Sequence, residues 1–152
     1  MDEQNLQLDD QNEQPLEECQ MEAFVGRNTL YYEEKWNSVP GKAGFNLAAF
    51  FLGSIWAVYR RMYLEAAIVW VIAVVLEYIF RGGWSGLGGA LFFGLGGNEV
   101  YRRKLIRLLK KTEGLGREEQ QALLKKKGGT NFPAAVVFSI VAICLIILPR
   151  LF

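Results

Sequence analysis

The chain has 152 residues, a hydrophobic fraction of 51%, a mean hydropathy of +0.12 and a formal net charge of +1. One domain fits this length, and the hydropathy lies above that of an ordinary water-soluble domain of the same size. Histidine is absent, which removes imidazole as a base, metal ligand or pH switch, and Cys19 and Cys144 lie too far apart in sequence to resemble a ligand pair or a disulfide framework.

The small total charge hides an asymmetry. Residues 1–40 hold ten acidic and two basic side chains, a net −8, whereas residues 98–131 hold four acidic and ten basic ones, a net +6. Residues 1–22 are expected to be a disordered acidic tail, because so polar a stretch cannot bury enough surface to offset its ordering entropy. It lacks the positive start and apolar core of a removable signal peptide. Residues 23–44 form an aromatic pre-membrane segment in the cytoplasm: Asn28 is placed as an N-cap, Thr29, Tyr32 and Trp36 follow at helical spacing, and Pro40 and Gly41 end the helix. Its aromatic face has two destinations, the membrane surface or the neighbouring loops.

Residues 45–149 are expected to form a membrane domain. The stretch 46–59 is about 21 Å long as a helix, short of about 30 Å of hydrocarbon. At its end Trp56, Tyr59 and Tyr63 surround the adjacent pair Arg60 and Arg61. Aromatic and arginine side chains gather at the boundary between lipid and water, so these five residues are expected to be membrane-interface anchors. Residues 46–59 are then an interfacial or re-entrant helix; the rival is a short fourth span that would place the N-terminus outside. Residues 62–80 and 132–149 are runs of 19 and 18 residues, matching the roughly 20 needed to span. Glu65 and Glu77 are candidate intramembrane charges, each expected to be neutralised by an arginine four residues away, Arg61 and Arg81 respectively.

Eight glycines fall within 82–97, and 83–98 is expected to be a glycine-rich span. Gly82, Gly86, Ala90, Gly94 and Asn98 recur every fourth residue, giving a smooth helix-packing stripe. Its expected partner is the span 62–80, with a seam between copies, and hence a homo-oligomer, as the alternative. Asn98 is read as a helix-to-helix hydrogen bond in preference to a substrate contact.

Residues 99–131 form a basic cytoplasmic loop. Tyr101, Leu105, Leu108 and Leu109 share one face of its first helix, and Arg102, Arg103, Arg107, Lys110 and Lys111 lie mostly on the other, where they are expected to contact anionic lipid headgroups. A second short helix has Glu118 and Glu119 in its first turn, Lys125 to Lys127 in its last, and Gly128 as its stop. The positive-inside rule puts this loop in the cytoplasm, with the N-terminus inside and the C-terminus on the periplasmic or extracellular side. The expected fold is thus all-α, a multi-pass membrane helical bundle of three transmembrane helices plus one interfacial or re-entrant helix.

Several stretches are similar to the small bacterial integral membrane proteins grouped as domain of unknown function 2628. The matching residues are Phe24, Gly26, Asn28 and Tyr32; Phe45, Asn46, Ala48, Ala49 and Phe50; Trp56 with Tyr59, Arg60, Arg61, Met62 and Tyr63; Gly97, Asn98 and Tyr101; and Gly128, Gly129 and Thr130. The resemblance covers roughly residues 23–131. It implies a protein of the bacterial inner (plasma) membrane and brings no reaction with it.

No catalytic, metal-binding or cofactor constellation is legible. Ser54, Ser85 and Ser139 are isolated from any base, and the glycine runs lack the preceding strand and the Gly-Lys-Ser/Thr ending of a phosphate loop. The basic loop is accounted for by topology, so no nucleic acid is expected. The expected function is a non-catalytic scaffold, anchor or regulator that binds anionic lipid and meets a protein partner at its cytoplasmic face, through the acidic tail and basic loop. The alternative is a small oligomeric transporter, channel or membrane-permeabilising protein using the glycine-rich span.

Overall fold

The computed structural model describes residues 18–37, 44–80 and 85–151, and every regular element among them is an α-helix. In chain order these are α1 (Glu18–Val25), α2 (Thr29–Asn37), α3 (Leu47–Leu52), α4 (Ser54–Tyr59), α5 (Tyr63–Phe80), α6 (Ser85–Lys111), α7 (Arg117–Lys127) and α8 (Phe132–Leu151). Most of the expected tail, the stop at Pro40 and Gly41, the turn carrying Arg81 and Gly82, and the side chain of Glu77 lie outside the described residues.

Residues 18–22, expected within the disordered tail, instead begin α1. Met21, Phe24 and Val25 are buried and share one helical face, packed against α7. Eight residues are too few for a stable helix in isolation, so this one depends on its neighbour. The closeness is extreme at Gly128, where an added Cβ would coincide with the Phe24 carbonyl oxygen. That same oxygen accepts from the Gly129 N–H at 2.6 Å.

The stretch 46–59, expected as one helix, is two. Asn46 caps α3, its Oδ1 accepting from the Ala49 N–H at 2.8 Å. Gly53 then breaks the run with φ +50° and ψ −125°, a conformation glycine reaches at little cost. Each piece has six residues, about 9 Å of helix, and so is far too short to cross hydrocarbon. The end of α4 explains the paired arginines. Arg61 N–H donates to Val58 O at 2.9 Å and Met62 N–H to Ala57 O at 2.8 Å, while Arg61 has φ +58°. This is a Schellman stop with arginine in the position that normally takes glycine. The reversal sends consecutive side chains in different directions and starts α5 two residues later.

α6 is continuous for 27 residues, about 40 Å, so the glycine-rich span and the first basic helix are one rod. Its expected partner needs correction. α6 packs more extensively on α3 than on α5. A Cβ at Gly94 would lie 2.9 Å from Phe50, and one at Gly97 would lie 3.0 Å from the Trp56 ring, whereas Gly89 faces Val69 of α5 at 3.6 Å. The Asn46 N–H also donates to Gly94 O at 2.8 Å. The broken elbow, α3 and α4, therefore claims the smooth centre of α6, while α5 meets α6 at Gly89 and again through the Glu65–Arg107 pair.

α8 follows Asn131, whose N–H donates to Tyr59 O at 2.7 Å and whose Oδ1 accepts from the Ala134 N–H at 3.1 Å. Trp70 and Phe138 link α5 to α8 with ring centroids 6.4 Å apart. Where the sequence leads one to expect three spans, one described helical stretch, Arg117–Leu145, contains a segment long and apolar enough to cross a membrane, with 11% of that segment buried; the apolar stretch Tyr63–Leu76 is shorter.

Gly94→Leu is expected to lower stability by about 1–3 kcal/mol through overpacking against Phe50. Gly88→Leu is expected to be neutral or stabilising, since a Cβ there meets nothing within 4 Å. Thermal unfolding of both variants in detergent checks this; equal losses would mean that contact with α3 is not what requires glycine.

Candidate functional site

The conspicuous buried charge is Arg60. It is the C-cap of α4 and is 3% exposed, with its guanidinium carbon 4.9 Å from the Tyr32 ring centroid, 5.5 Å from Tyr101 and 5.7 Å from Tyr59. Its Nη1 donates to Val25 O at 3.4 Å. Among the described residues, no carboxylate pairs with it. The charge is held by π faces and a carbonyl, each ring face contributing about 0.5–2 kcal/mol.

The rings belong to a larger aromatic cluster that joins the helices. Tyr101 lies 4.9 Å from Phe24, 5.2 Å from Tyr32, 5.9 Å from Trp36 and 6.4 Å from Trp56, and Trp56 reaches Phe93 at 6.2 Å. Burial pushes the Tyr101 hydroxyl up to about 12 and the Tyr32 hydroxyl higher still, with the Arg60 cation opposing in both cases. Both phenols therefore stay neutral around the guanidinium near neutral pH.

A polar node adjoins the cluster. Asn98 is fully buried; its Oδ1 accepts from Asn46 Nδ2 at 2.7 Å, its Nδ2 donates to Gly44 O at 3.3 Å and to the Tyr31 hydroxyl at 3.4 Å, and its carbonyl accepts from Trp36 Nε1 at 3.2 Å. Asn98 thus makes the expected helix-to-helix hydrogen bonds, holding α2 and the entry to α3 against α6.

A third group lies nearer the surface, where Lys104 Nζ donates to Arg61 O at 2.9 Å and Arg61 Nη1 donates to Lys126 O at 2.6 Å. Arg107 Nη2 pairs with Glu65 Oε1 at 3.1 Å. Burial pushes Lys104 down to about 8; Glu65 opposes this, and Arg61, Arg107 and Lys127 add to it.

Several expected roles change. Trp56 is 3% exposed and, like Arg60, is enclosed by protein instead of lying at the surface as an interface anchor, because the Schellman reversal folds that end of α4 under α2 and α6. Tyr59 is half-buried beside Arg60, and Tyr63 is exposed, its hydroxyl accepting from Asn131 Nδ2 at 2.8 Å. Glu65 pairs with Arg107 instead of Arg61, since Arg61 is outside the helix and the i,i+4 geometry does not exist. The basic face of α6 also differs. Tyr101 and Leu105 are fully buried against protein, so the apolar side of that helix is covered by the chain itself instead of resting on lipid. On the polar side Arg103 pairs with Glu99 at 2.8 Å, Arg102 is half-buried, and Lys110 and Lys111 are exposed. Along the stripe, Ala90 is half-buried and Gly94 buried, and Gly86 lies within α6. Asn46 and Lys104 carry contacts that no spacing in the sequence announces; the aromatic residues Tyr32, Trp36 and Tyr101 were the available signal.

The fold and site define an all-helical protein whose charged and amide groups are locked into an aromatic core beside exposed apolar helices. The family model described as "Protein of unknown function (DUF2628)" matches residues 17–107, and the chain belongs to that family. The match takes in α1 through most of α6, including Arg60, Asn46, Asn98 and Tyr101, and ends before Gly128 to Thr130. Neither a curated protein nor a solved structure matches the chain.

Arg60→Ala is expected to cost about 2–4 kcal/mol in thermal unfolding, through a cavity and lost ring contacts. Arg60→Lys should cost less but still measurably, because the planar guanidinium is lost. Unchanged melting of both would show that the rings pack without needing the cation. For Lys104 the folded value, about 8, lies below the ordinary 10.5, so between these the unfolded chain binds the extra proton and stability rises with pH. The rise from pH 8 to 10 is expected to disappear in Lys104→Met; above about 10 the raised tyrosines act in the opposite sense.

Proposed function

We propose that the chain is a multi-pass bacterial inner-membrane protein that acts as a non-catalytic scaffold or anchor. The observation that carries this reading is the outward display of large apolar side chains. On α5, Leu64, Ile68, Val71, Ile72 and Val75 are exposed, as are Val137, Ile140 and Ile143 on α8, Leu47 and Phe51 on α3, and Leu95 on α6. Contiguous apolar surface of this kind is rare on soluble monomers and marks a membrane or protein contact. Against it stands a polar head made of α1, α2, α7 and the basic half of α6, closed by the Arg60 cluster.

In this reading α5, the first half of α6 and α8 are embedded, and the α3–α4 elbow lies at the boundary without crossing. The positive-inside rule places the basic head in the cytoplasm, and there it offers a protein partner its face. The non-catalytic assignment rests on how the fold occupies its buried polar groups: Asn46 and Asn98 bond to each other, and Arg60 is enclosed by tyrosine rings. The pore-forming alternative draws no support from the glycine stripe, because Phe50 and Trp56 of the same chain cover Gly94 and Gly97.

A Glu118→Cys variant lacking the two native cysteines tests both location and orientation. The protein should stay with membranes through an alkaline wash, and position 118 should react with a membrane-impermeant thiol reagent only after the cells are opened. Release by the wash would refute the membrane assignment; labelling in intact cells would invert the topology.

A further inference from the structure

At the foot of α5 the chain gathers cations that outnumber the carboxylates beside them among the described residues. Lys104 Nζ donates to Arg61 O at 2.9 Å, Arg61 Nη1 reaches Lys126 O beside Lys127 at 2.6 Å, and Arg107 pairs with Glu65 at 3.1 Å; Arg61, Arg107 and Lys127 all disfavour the charge on Lys104, and Glu65 favours it. These side chains come from the α4–α5 turn, α6 and α7, so the cluster is a product of the fold. It lies at the level where the exposed apolar helices begin, since Tyr63 opens α5 and its hydroxyl is bonded to Asn131, just ahead of α8.

Arg61 has two peculiarities. It occupies a left-handed position, φ +58°, where a non-glycine residue costs about 1–2 kcal/mol. Its Nε is buried without a hydrogen-bond partner among the described residues. Strain of this sort, held in place by surrounding structure, concentrates where a side chain has a task.

We propose that Arg61, Lys104, Arg107 and Lys127, gathered around Glu65 at the foot of α5, form a binding site for the phosphate of an anionic phospholipid headgroup. This deepens the membrane reading above and rests on it. Guanidinium and ammonium groups recognise phosphate through charge-assisted hydrogen bonds, and Arg107, 64% exposed, is open to such a ligand. A lipid fits better than free phosphate because the cluster adjoins apolar surface on both sides. Leu64 and Ile68 are exposed on α5, and Val100 and Ile106 help to line a shallow groove of about 260 Å³ that includes Arg107. An acyl chain would follow the apolar surface while its phosphate meets the cations.

The test uses the full chain in neutral detergent with added phosphatidylglycerol or phosphatidylcholine, retained lipid being read by native mass spectrometry. Phosphatidylglycerol should be held at least about tenfold more tightly, because phosphatidylcholine sets a quaternary ammonium beside the same phosphate and the gathered cations repel it. Arg107→Gln with Lys127→Gln should remove that preference. Lys111→Gln with Arg117→Gln makes the same charge change at exposed residues outside the groove and should alter retention less than about twofold. Arg61→Gly relieves the backbone strain, so its stability should hold or rise while lipid retention falls, which a purely structural arginine would not produce. Equal loss from both double variants would reduce the effect to diffuse charge and overturn the site. So would inorganic phosphate competing at the lipid's own concentration. A wild-type chain that inserts into mixed vesicles yet shows no preference refutes the site alone, whereas a chain that fails to insert refutes the membrane reading beneath it.

Discussion

The structure turns on a single cation enclosed by three tyrosine rings. Taking a guanidinium out of water costs several kcal/mol even after relaxation, so Arg60 can stay buried only where the surroundings replace its hydration. Tyr32 comes from α2, Tyr101 from α6 and Tyr59 from α4 itself, while Val25, at the end of α1, offers its carbonyl. Four helices are thus held to one point by a group that tolerates no gap around it. Arg60 is also the C-cap residue of α4, its backbone N–H donating to Trp56 O, at a helix end whose unpaired carbonyls favour positive charge.

This constraint separates two arginines that are adjacent in the chain. Arg60 faces inward to the rings; Arg61, one residue on and in a left-handed conformation, carries its guanidinium to the carbonyl of Lys126 on α7. The first organises the core, and the second belongs to the charged edge with Lys104 and Arg107. A pair that reads as two equivalent headgroup anchors is instead a hinge between core and boundary.

The asparagine node complements the aromatic one. Asn46 serves α3 as a cap through its Oδ1 and serves α6 through its Nδ2, which meets Asn98. Two buried amides bonded to each other favour one arrangement, because a slip would break that bond and leave a buried amide group unsatisfied at a cost of about 1–3 kcal/mol. With Gly94 and Gly97 admitting Phe50 and Trp56, the elbow α3–α4 is seated both by shape and by polarity.

Composition and periodicity alone determined that the chain is helical, that its apolar residues concentrate in α5 and α8, and that its charges divide into an acidic beginning and a basic late segment. These properties are local: a 3.6-residue repeat or an unbroken apolar run has the same meaning wherever the chain goes. The glycine stripe was equally legible as a site of close approach, but its occupant was not, because a smooth surface accepts any partner that the connections bring to it. Only the tertiary structure decided that α3 takes that place, that Arg60 turns inward and that Glu65 pairs with Arg107. The last two depend on one backbone reversal at Arg61, which no propensity favours, and all three on contacts between residues distant in the chain, whose energy exists only once the helices are assembled.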